Sequence, residues 1–319
     1  MIAADDLSLL GAGFGAAMAA QPGAGAADVA LHALGWAEVL SAAPRQGAAE
    51  AFSRLGATGA AAGLLDDVVL HALGHAPDVA TCVVLPDAHR STPPGRRGAG
   101  GWRVAGLASG RCAPGRRVLV PVVDGETTTL VEIEPASLTG GGVGLDPGRP
   151  YRHVTALVDD GEVVDAGIDW DAAVVAARGA LAHELIAAAR VMLEQARVHA
   201  LQRVQFGRAI AGFQAVRHRL ADALVSIEAA TSVAADYVAE GDPLLAAVAK
   251  SLAGRAARTT AVHAQQVLAG IGFTTDHPFH LTMKRSLVLD TLFGSSRTLP
   301  AEIGAALLAA GHAPRLVEL

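Results

Sequence analysis

Two short segments carry polar side chains where a helical protein built only for packing has little use for them. In Arg203-Val204-Gln205-Phe206-Gly207-Arg208 and in Gln266-Val267-Leu268-Ala269-Gly270-Ile271-Gly272-Phe273, an arginine and two glutamines stand beside aromatics and glycines. Leu or Ala would serve packing more simply, so these residues point to something polar held there. The run Gly11-Ala12-Gly13-Phe14-Gly15 is a poorer candidate. It misses the GxGxxG spacing, and no strand precedes it to supply the strand-to-helix context of a dinucleotide loop. Cys82 and Cys112 are the only cysteines. They form no CxxC and have no nearby histidine at zinc-ligand spacing, so they read as buried thiols in a reducing compartment, and no metal site is expected. Arg96, Arg97, Arg116 and Arg117 read as solvated loop charges rather than an anion site.

The elements that position these residues must be mostly helical. The chain has 319 residues, enough for two or three packed units. It is 51% hydrophobic and only 4% aromatic, which suits close helix crossings lined by small side chains. A net charge of -6, with no basic stripe interleaved with aromatics, argues against a nucleic-acid partner. The N-terminus lacks a basic segment ahead of an apolar run, and no uninterrupted apolar stretch approaches the ~20 residues needed to span a bilayer. The expectation is a soluble, cytoplasmic protein with no membrane partner.

Three regions are expected: an N-terminal helical domain over 1–79, a reduced antiparallel β domain over 80–168, and a C-terminal helical bundle over 169–319. In the first, Leu7, Leu10 and Phe14, then Val29, Leu31, Leu34 and Leu40, then Phe52, Leu55, Leu64, Val68 and Leu70 recur roughly at helical spacing, with breaks at Gln21-Pro22-Gly23 and Ala43-Pro44-Arg45. In the second, β-prone runs at 81–85, 102–106, 117–123, 128–133 and 153–158 alternate with turn-rich pieces, giving about five antiparallel strands, since the connections are too short for crossover helices. In the third, helices are expected over about 171–204, 212–240, 243–268, 278–292 and 299–311. The first aligns Leu181, Leu185, Ala189, Met192, Ala196 and Ala200 on one face, pairs Arg190 with Glu194, and ends at Gly207. The second aligns Phe213, Val216, Leu220, Leu224 and Ile227, and the fourth and fifth begin at Pro278 and Pro300. Short links between long helices make an antiparallel bundle.

Arg203-Val204-Gln205-Phe206-Gly207-Arg208-Ala209-Ile210, followed by Phe213-Gln214-Ala215-Val216 and His218, resembles the RxxFGxxI..FQ signature of acyl-CoA dehydrogenases. Downstream, Gln266 through Gly272-Phe273 and on to Pro278 resembles that family's QvxGGxGfxxeyP segment. The resemblance covers about 170–300 well, the sheet region weakly, and the first 80 residues in pattern only. It implies a mainly α fold with a small β domain: N-terminal helices, a β domain and a four-helix bundle, with FAD between sheet and bundle and across a subunit boundary. It further implies that Arg203, Gln205 and Phe206 meet the FAD of a neighbouring subunit, with Arg203 on the pyrophosphate and Gln214 in the same motif. Gln266, Ala269 and Gly270 would lie along the adenosine end. The chemistry is consistent, because Arg203 can bind a pyrophosphate in bidentate fashion and Gly270 and Gly272 permit close approach of backbone to a ligand.

The departures are as informative as the match. The family removes an α-proton with a glutamate while hydride passes from the β-carbon to the flavin. Aligned from Phe273, the position of that base falls on Phe293, and the other position used in the family falls near Ala177. Glu184 lies about 10 Å farther along the helix and reads as a helix-surface charge. No catalytic residue is therefore expected in this chain. The flavin-gripping TEPxxGSD loop is also missing from the stretch between Val84 and Trp102, and the chain is shorter than usual members. Together these features resemble the degenerate subunit of heteromeric α2β2 acyl-CoA dehydrogenases of actinobacterial steroid and cholesterol breakdown. That resemblance implies a longer homologous partner supplying the glutamate, an acyl-CoA substrate and an electron-transfer acceptor. Two alternatives stand: a self-sufficient flavoenzyme using Asp290 or Glu184 as base, and a bundle without enzymatic activity.

Overall fold

The structure, a computed structural model, describes all residues except 1–3, 21–24, 99, 143, 147, 149, 150, 160 and 312–319. Five helices open the chain: α1 (Ala4–Ala20), α2 (Ala26–Ala33), α3 (Trp36–Ala42), α4 (Pro44–Thr58) and α5 (Leu64–Ala72). The break expected at Gln21-Pro22-Gly23 lies outside the described residues, whereas that at Ala43 is where Pro44 starts α4. Gly11 to Gly15 sit inside α1, so they form no phosphate loop.

Seven strands follow: β1 (Thr81–Val83), β2 (Gly95–Gly98), β3 (Gly101–Ala108), β4 (Arg117–Asp124), β5 (Thr127–Ile133), β6 (Arg152–Val158) and β7 (Glu162–Ala166). They form one sheet in the order β6-β3-β2-β4-β5-β7, with β1 also on β4. This corrects the expectation of a purely antiparallel sheet of about five strands. β1 and β2 both run parallel to β4 and share its edge, β1 along Arg117 to Leu119 and β2 at Val122 and Val123. Short connections exclude parallel pairing only between consecutive strands, and here intervening chain lets β1 and β2 meet β4 in the same direction. The sequence missed β2 and β7. Gly95-Arg96-Arg97-Gly98 carries no β-prone residue, yet it is a strand because it pairs on both sides with β3 and β4.

That placement also revises the reading of the arginines. Arg97 on β2 pairs with Asp124 at 3.0 Å and lies over the Trp102 ring, and Arg117 on β4 pairs with Glu132 at 2.7 Å. They are cross-strand partners rather than loop charges. The sheet's side chains alternate as a period of two requires. Val118, Val120 and Val122 pack into a cluster with Val104 and Val131, while Leu119 and Leu130 join the helical core.

The remainder is helical: α6 (Trp170–Gln202), α7 (Gln214–Glu240), α8 (Pro243–Leu268), α9 (Phe279–Thr291) and α10 (Leu299–Ala310), with a hairpin of β8 (Val204–Gln205) and β9 (Arg208–Ala209) between α6 and α7. Asp169 caps α6 by accepting from Ala172 N–H, and Asp242 caps α8 by accepting from Leu244 and Leu245 N–H. α6 is the central element. Leu181, Leu185, Ala189, Met192, Ala196 and Ala200 are all buried, in a core that also takes Phe14, Phe52, Leu55 and Leu70 from the N-terminal helices. By length and composition α6 would be able to cross a membrane, but 72% of its most apolar window is buried within the fold.

Two side-chain expectations fail here. Arg190 reaches Glu228 on α7 at 3.0 Å, and Glu194 takes Arg197, so the helical Arg190–Glu194 pair does not form. Glu184 is not a surface charge. It lies three residues beyond Leu181 on the buried face, where Arg285 of α9 meets it at 3.0 Å.

Candidate functional site

The two segments singled out by the sequence converge at one end of the bundle. α6 stops at Gln202, and Arg203 turns into extended backbone. Gly207 therefore does not end the helix. With Phe206 it forms the two-residue turn of the β8–β9 hairpin, at φ 53° and 81° respectively. Positive φ at both central residues is the geometry of a type I′ turn, natural for Gly207 and strained for Phe206. The Phe206 ring stands out in solvent, 91% exposed, with an edge contact to Phe213 at 6.1 Å between ring centroids. At the end of α8, Ala269 also has positive φ (52°), and the space where Gly270 would carry a Cβ is open.

Between these segments lies a groove of about 900 Å³. Arg203, Gln205, Phe206, Gln266, Ala269 and Gly270 all line it, while Gln214 starts α7 next to it without lining it. Ile210 and Phe213 of the first motif also line the groove, as do His199 and Arg219, which the sequence reading did not single out. His199 in the last turn of α6 and Arg219 near the start of α7 carried no motif signal, because only the packing of α6, α7 and α8 brings them to the groove. No lining residue is Asp or Glu. His199 is held below its ordinary range by burial and by the charges of His277 and Arg203. A groove with two guanidiniums, no carboxylate, apolar walls and an open backbone at Gly270 fits a cofactor that carries a diphosphate.

The place where the resemblance puts the catalytic glutamate has a different character. Phe293 is buried and stacked on Trp170 at 6.0 Å, and Trp170 donates from Nε1 to Ser91 O at 2.7 Å. The loop around it is fixed by buried cations. Arg178 donates to Phe293 O at 3.0 Å, and Lys250 donates to Asp290 O and Gly294 O, each at 3.1 Å. Burial lowers Lys250 to about 8, against the pull of Asp290. From the sheet side His89 N–H donates to Thr291 O at 2.8 Å. Trp170 and Arg178 face a separate groove of about 1120 Å³ that Phe293 does not line. Ala177 is fully buried.

Both alternative bases are held in ion pairs. Asp290 is bound by Arg258 at 2.8 Å and by the N–H and hydroxyl of Ser296. Burial pushes this carboxyl up, but Lys250 and Arg258 more than offset it and hold it below the usual carboxylate range. Glu184 is committed to Arg285.

A second polar cluster ties the N-terminal helices to the sheet. Arg111, buried, reaches Asp28 and Asp67 at 2.7 Å each, and Asp67 also accepts from Trp36 Nε1 and contacts His32, each at 3.0 Å. Asp66 beside it accepts from Val83 N–H but has an unpartnered Oδ2, and burial raises it to about 6. Cys82 and Cys112 are both buried free thiols. Cys112 is lowered to about 6 by Cys82 and, against burial, by Arg152.

Comparison with known proteins finds likenesses in the bundle and in the fold as a whole. Residues 171–308 match the model of the acyl-CoA dehydrogenase C-terminal domain. Acyl-CoA dehydrogenase IpdE2 of Mycobacterium tuberculosis is 38% identical over 142 residues, 44% of this chain and 43% of that protein. Its counterpart in Mycolicibacterium smegmatis is 36% identical over 117 residues, 37% of this chain and 38% of that protein. The matched stretch thus spans about two-fifths of these relatives' length. Among solved structures, a variant of the Tcur3481-Tcur3483 steroid ACAD superposes with a TM-score of 0.76 at 18% identity, covering 96% of this chain and 98% of the other. The ChsE4-ChsE5 complex from Mycobacterium tuberculosis gives 0.73 at 19% identity, covering 98% and 99%. A glutaryl-CoA dehydrogenase from Mycobacterium smegmatis in complex with FADH2 gives 0.74 at 15% identity, covering 98% and 97%. Residues 171–308 thus match the acyl-CoA dehydrogenase C-terminal domain, and the chain as a whole has the fold of these solved structures.

Proposed function

We propose that this chain is the non-catalytic subunit of a heteromeric, FAD-dependent acyl-CoA dehydrogenase, acting in the cytoplasm on a steroid-derived CoA thioester. It pairs with a longer homologous subunit in an α2β2 assembly and lends the groove at the end of its bundle to the partner's FAD. The observation that carries this reading is a contrast within one chain. The groove keeps two arginines, no carboxylate and a ring held out in solvent, while the base position is a buried Phe293 stacked on Trp170. FAD held there would supply a hydride acceptor for the thioester's β-carbon and a relay to an electron-transfer acceptor. In this reading Arg203 holds the diphosphate, Gln205 and Phe206 close the hairpin side, Gln214 starts the helix beside it, and Gln266, Ala269 and Gly270 run along the adenosine. Phe293 and Ala177 have no proton acceptor, so the α-proton leaves to a glutamate of the partner. The steroid substrate rests on the names of the structural neighbours, whose identity to this chain supports the fold alone.

The test is expression of the chain alone and together with a longer acyl-CoA dehydrogenase homologue. Yellow protein and thioester oxidation on co-expression alone support the reading. Turnover by the single chain overturns it in favour of a self-sufficient enzyme. Colourless protein in both preparations overturns it in favour of a bundle that has lost the cofactor.

A further inference from the structure

We propose that Arg219 is a second phosphate-binding residue of the groove, oriented by His263, and that the chain by itself binds a nucleoside diphosphate there. The proposal rests on the cofactor reading above and specifies what grips the ligand. The groove presents two guanidiniums, Arg203 from the end of α6 and Arg219 from α7, and no acidic residue lines it. Among the described residues neither arginine forms an ion pair. The buried arginines of the fold, Arg111, Arg178 and Arg285, all have carboxylate partners. A pair of uncompensated cations facing one concavity is matched to an anion of two or more charges.

Arg219 is also held in place. Its Nη1 donates to His263 Nδ1 at 3.3 Å, which requires a neutral imidazole protonated on Nε2. His263 sits on α8 three residues before Gln266, so the contact pins a side chain from one wall of the groove against the other. The remaining N–H groups of the fork stay available to phosphate oxygens. A guanidinium fixed in this way loses less side-chain freedom on binding than a mobile surface arginine. Ile210, Phe213 and Val267 supply apolar walls for the nucleoside. Arg203 and Arg219 therefore divide the diphosphate between them, and His263 is a positioning residue.

The experiment is calorimetric titration of the full chain with ADP and with inorganic pyrophosphate, using Arg219→Gln, Arg219→Lys, Arg203→Gln, His263→Ala and, as control, Arg255→Gln on an exposed part of α8. Both probes are expected to bind the wild type. Arg219→Gln and Arg203→Gln should each weaken binding about 10- to 100-fold, the loss of charge-assisted hydrogen bonds to phosphate. Arg219→Lys should retain part of the affinity, since the charge persists without the fork, and Arg255→Gln should change nothing. His263→Ala should weaken binding less, with no further loss when combined with Arg219→Gln. Circular dichroism identifies any variant that has not folded, and Arg219→Lys then carries the test. Wild-type affinity in both folded Arg219 variants, with Arg203→Gln weakened, overturns the role of Arg219 and leaves the cofactor reading standing. No binding of ADP or pyrophosphate by the wild-type chain at millimolar probe overturns the proposal, while flavin content on co-expression judges the cofactor reading separately.

Discussion

Phe206 separates folding from assembly, and the substitution Phe206→Gly is expected to affect the two in different ways. In the isolated chain the substitution relieves a bulky residue at φ 53°, worth about 1–2 kcal/mol. Against that stand about 0.5–1 kcal/mol of added backbone entropy for glycine and about 0.5–1.5 kcal/mol for the lost edge contact with Phe213. These nearly cancel, so the chain's own stability should change by no more than about 1 kcal/mol in either direction. At an interface the outcome differs. The ring is 91% exposed, so nearly all of its apolar surface is available for burial on assembly, and full burial of such a side chain contributes about 1.5–3 kcal/mol. Loss of the ring should weaken association with the longer subunit, and with it flavin retention, about 10- to 150-fold. Urea unfolding of the single chain measures the first quantity, and sedimentation of the co-expressed complex with its flavin-to-protein ratio measures the second. A variant that assembles with wild-type affinity refutes the argument that this turn is strained in order to present the ring. So does a variant whose isolated chain loses more than about 3 kcal/mol, because the ring would then be serving the fold.

Other substitutions test the interior. Asp66 titrates at about 6 in the fold against 3.8 ordinarily, so its contribution to stability is intact below 3.8 and is lost as pH rises through 6, about 3 kcal/mol in total. Asp66→Asn should flatten the stability curve between pH 4.5 and 7.5 in urea unfolding, and a curve parallel to wild type contradicts the assignment. Arg111→Met leaves Asp28 and Asp67 buried without their guanidinium and should cost about 3–5 kcal/mol, read as a lowered unfolding midpoint. A Cβ at Gly179 overlaps the Tyr237 ring at the α6–α7 crossing, so Gly179→Ala should destabilise by about 1–3 kcal/mol, seen by calorimetry.

The sequence by itself determined the helices of the bundle almost to the residue, because long apolar periods bounded by Asp, Pro and Gly leave few other ways to bury a face. It also singled out the two segments that the fold brings to one groove. Tertiary structure decided the rest. β2 is a strand because its neighbours on both sides pair with it, although its own residues have little β preference. Glu184 and Asp290 look like candidate bases in one dimension, but Arg285 and Arg258 arrive from distant parts of the chain and pair with them. Arg219 carries no local signal, and its place opposite Gln266 exists only because α7 lies against α8. Periodicity and capping are encoded within a few residues of where they act. Charge pairing and groove lining depend on which helix faces which, and that is settled only when the whole core packs.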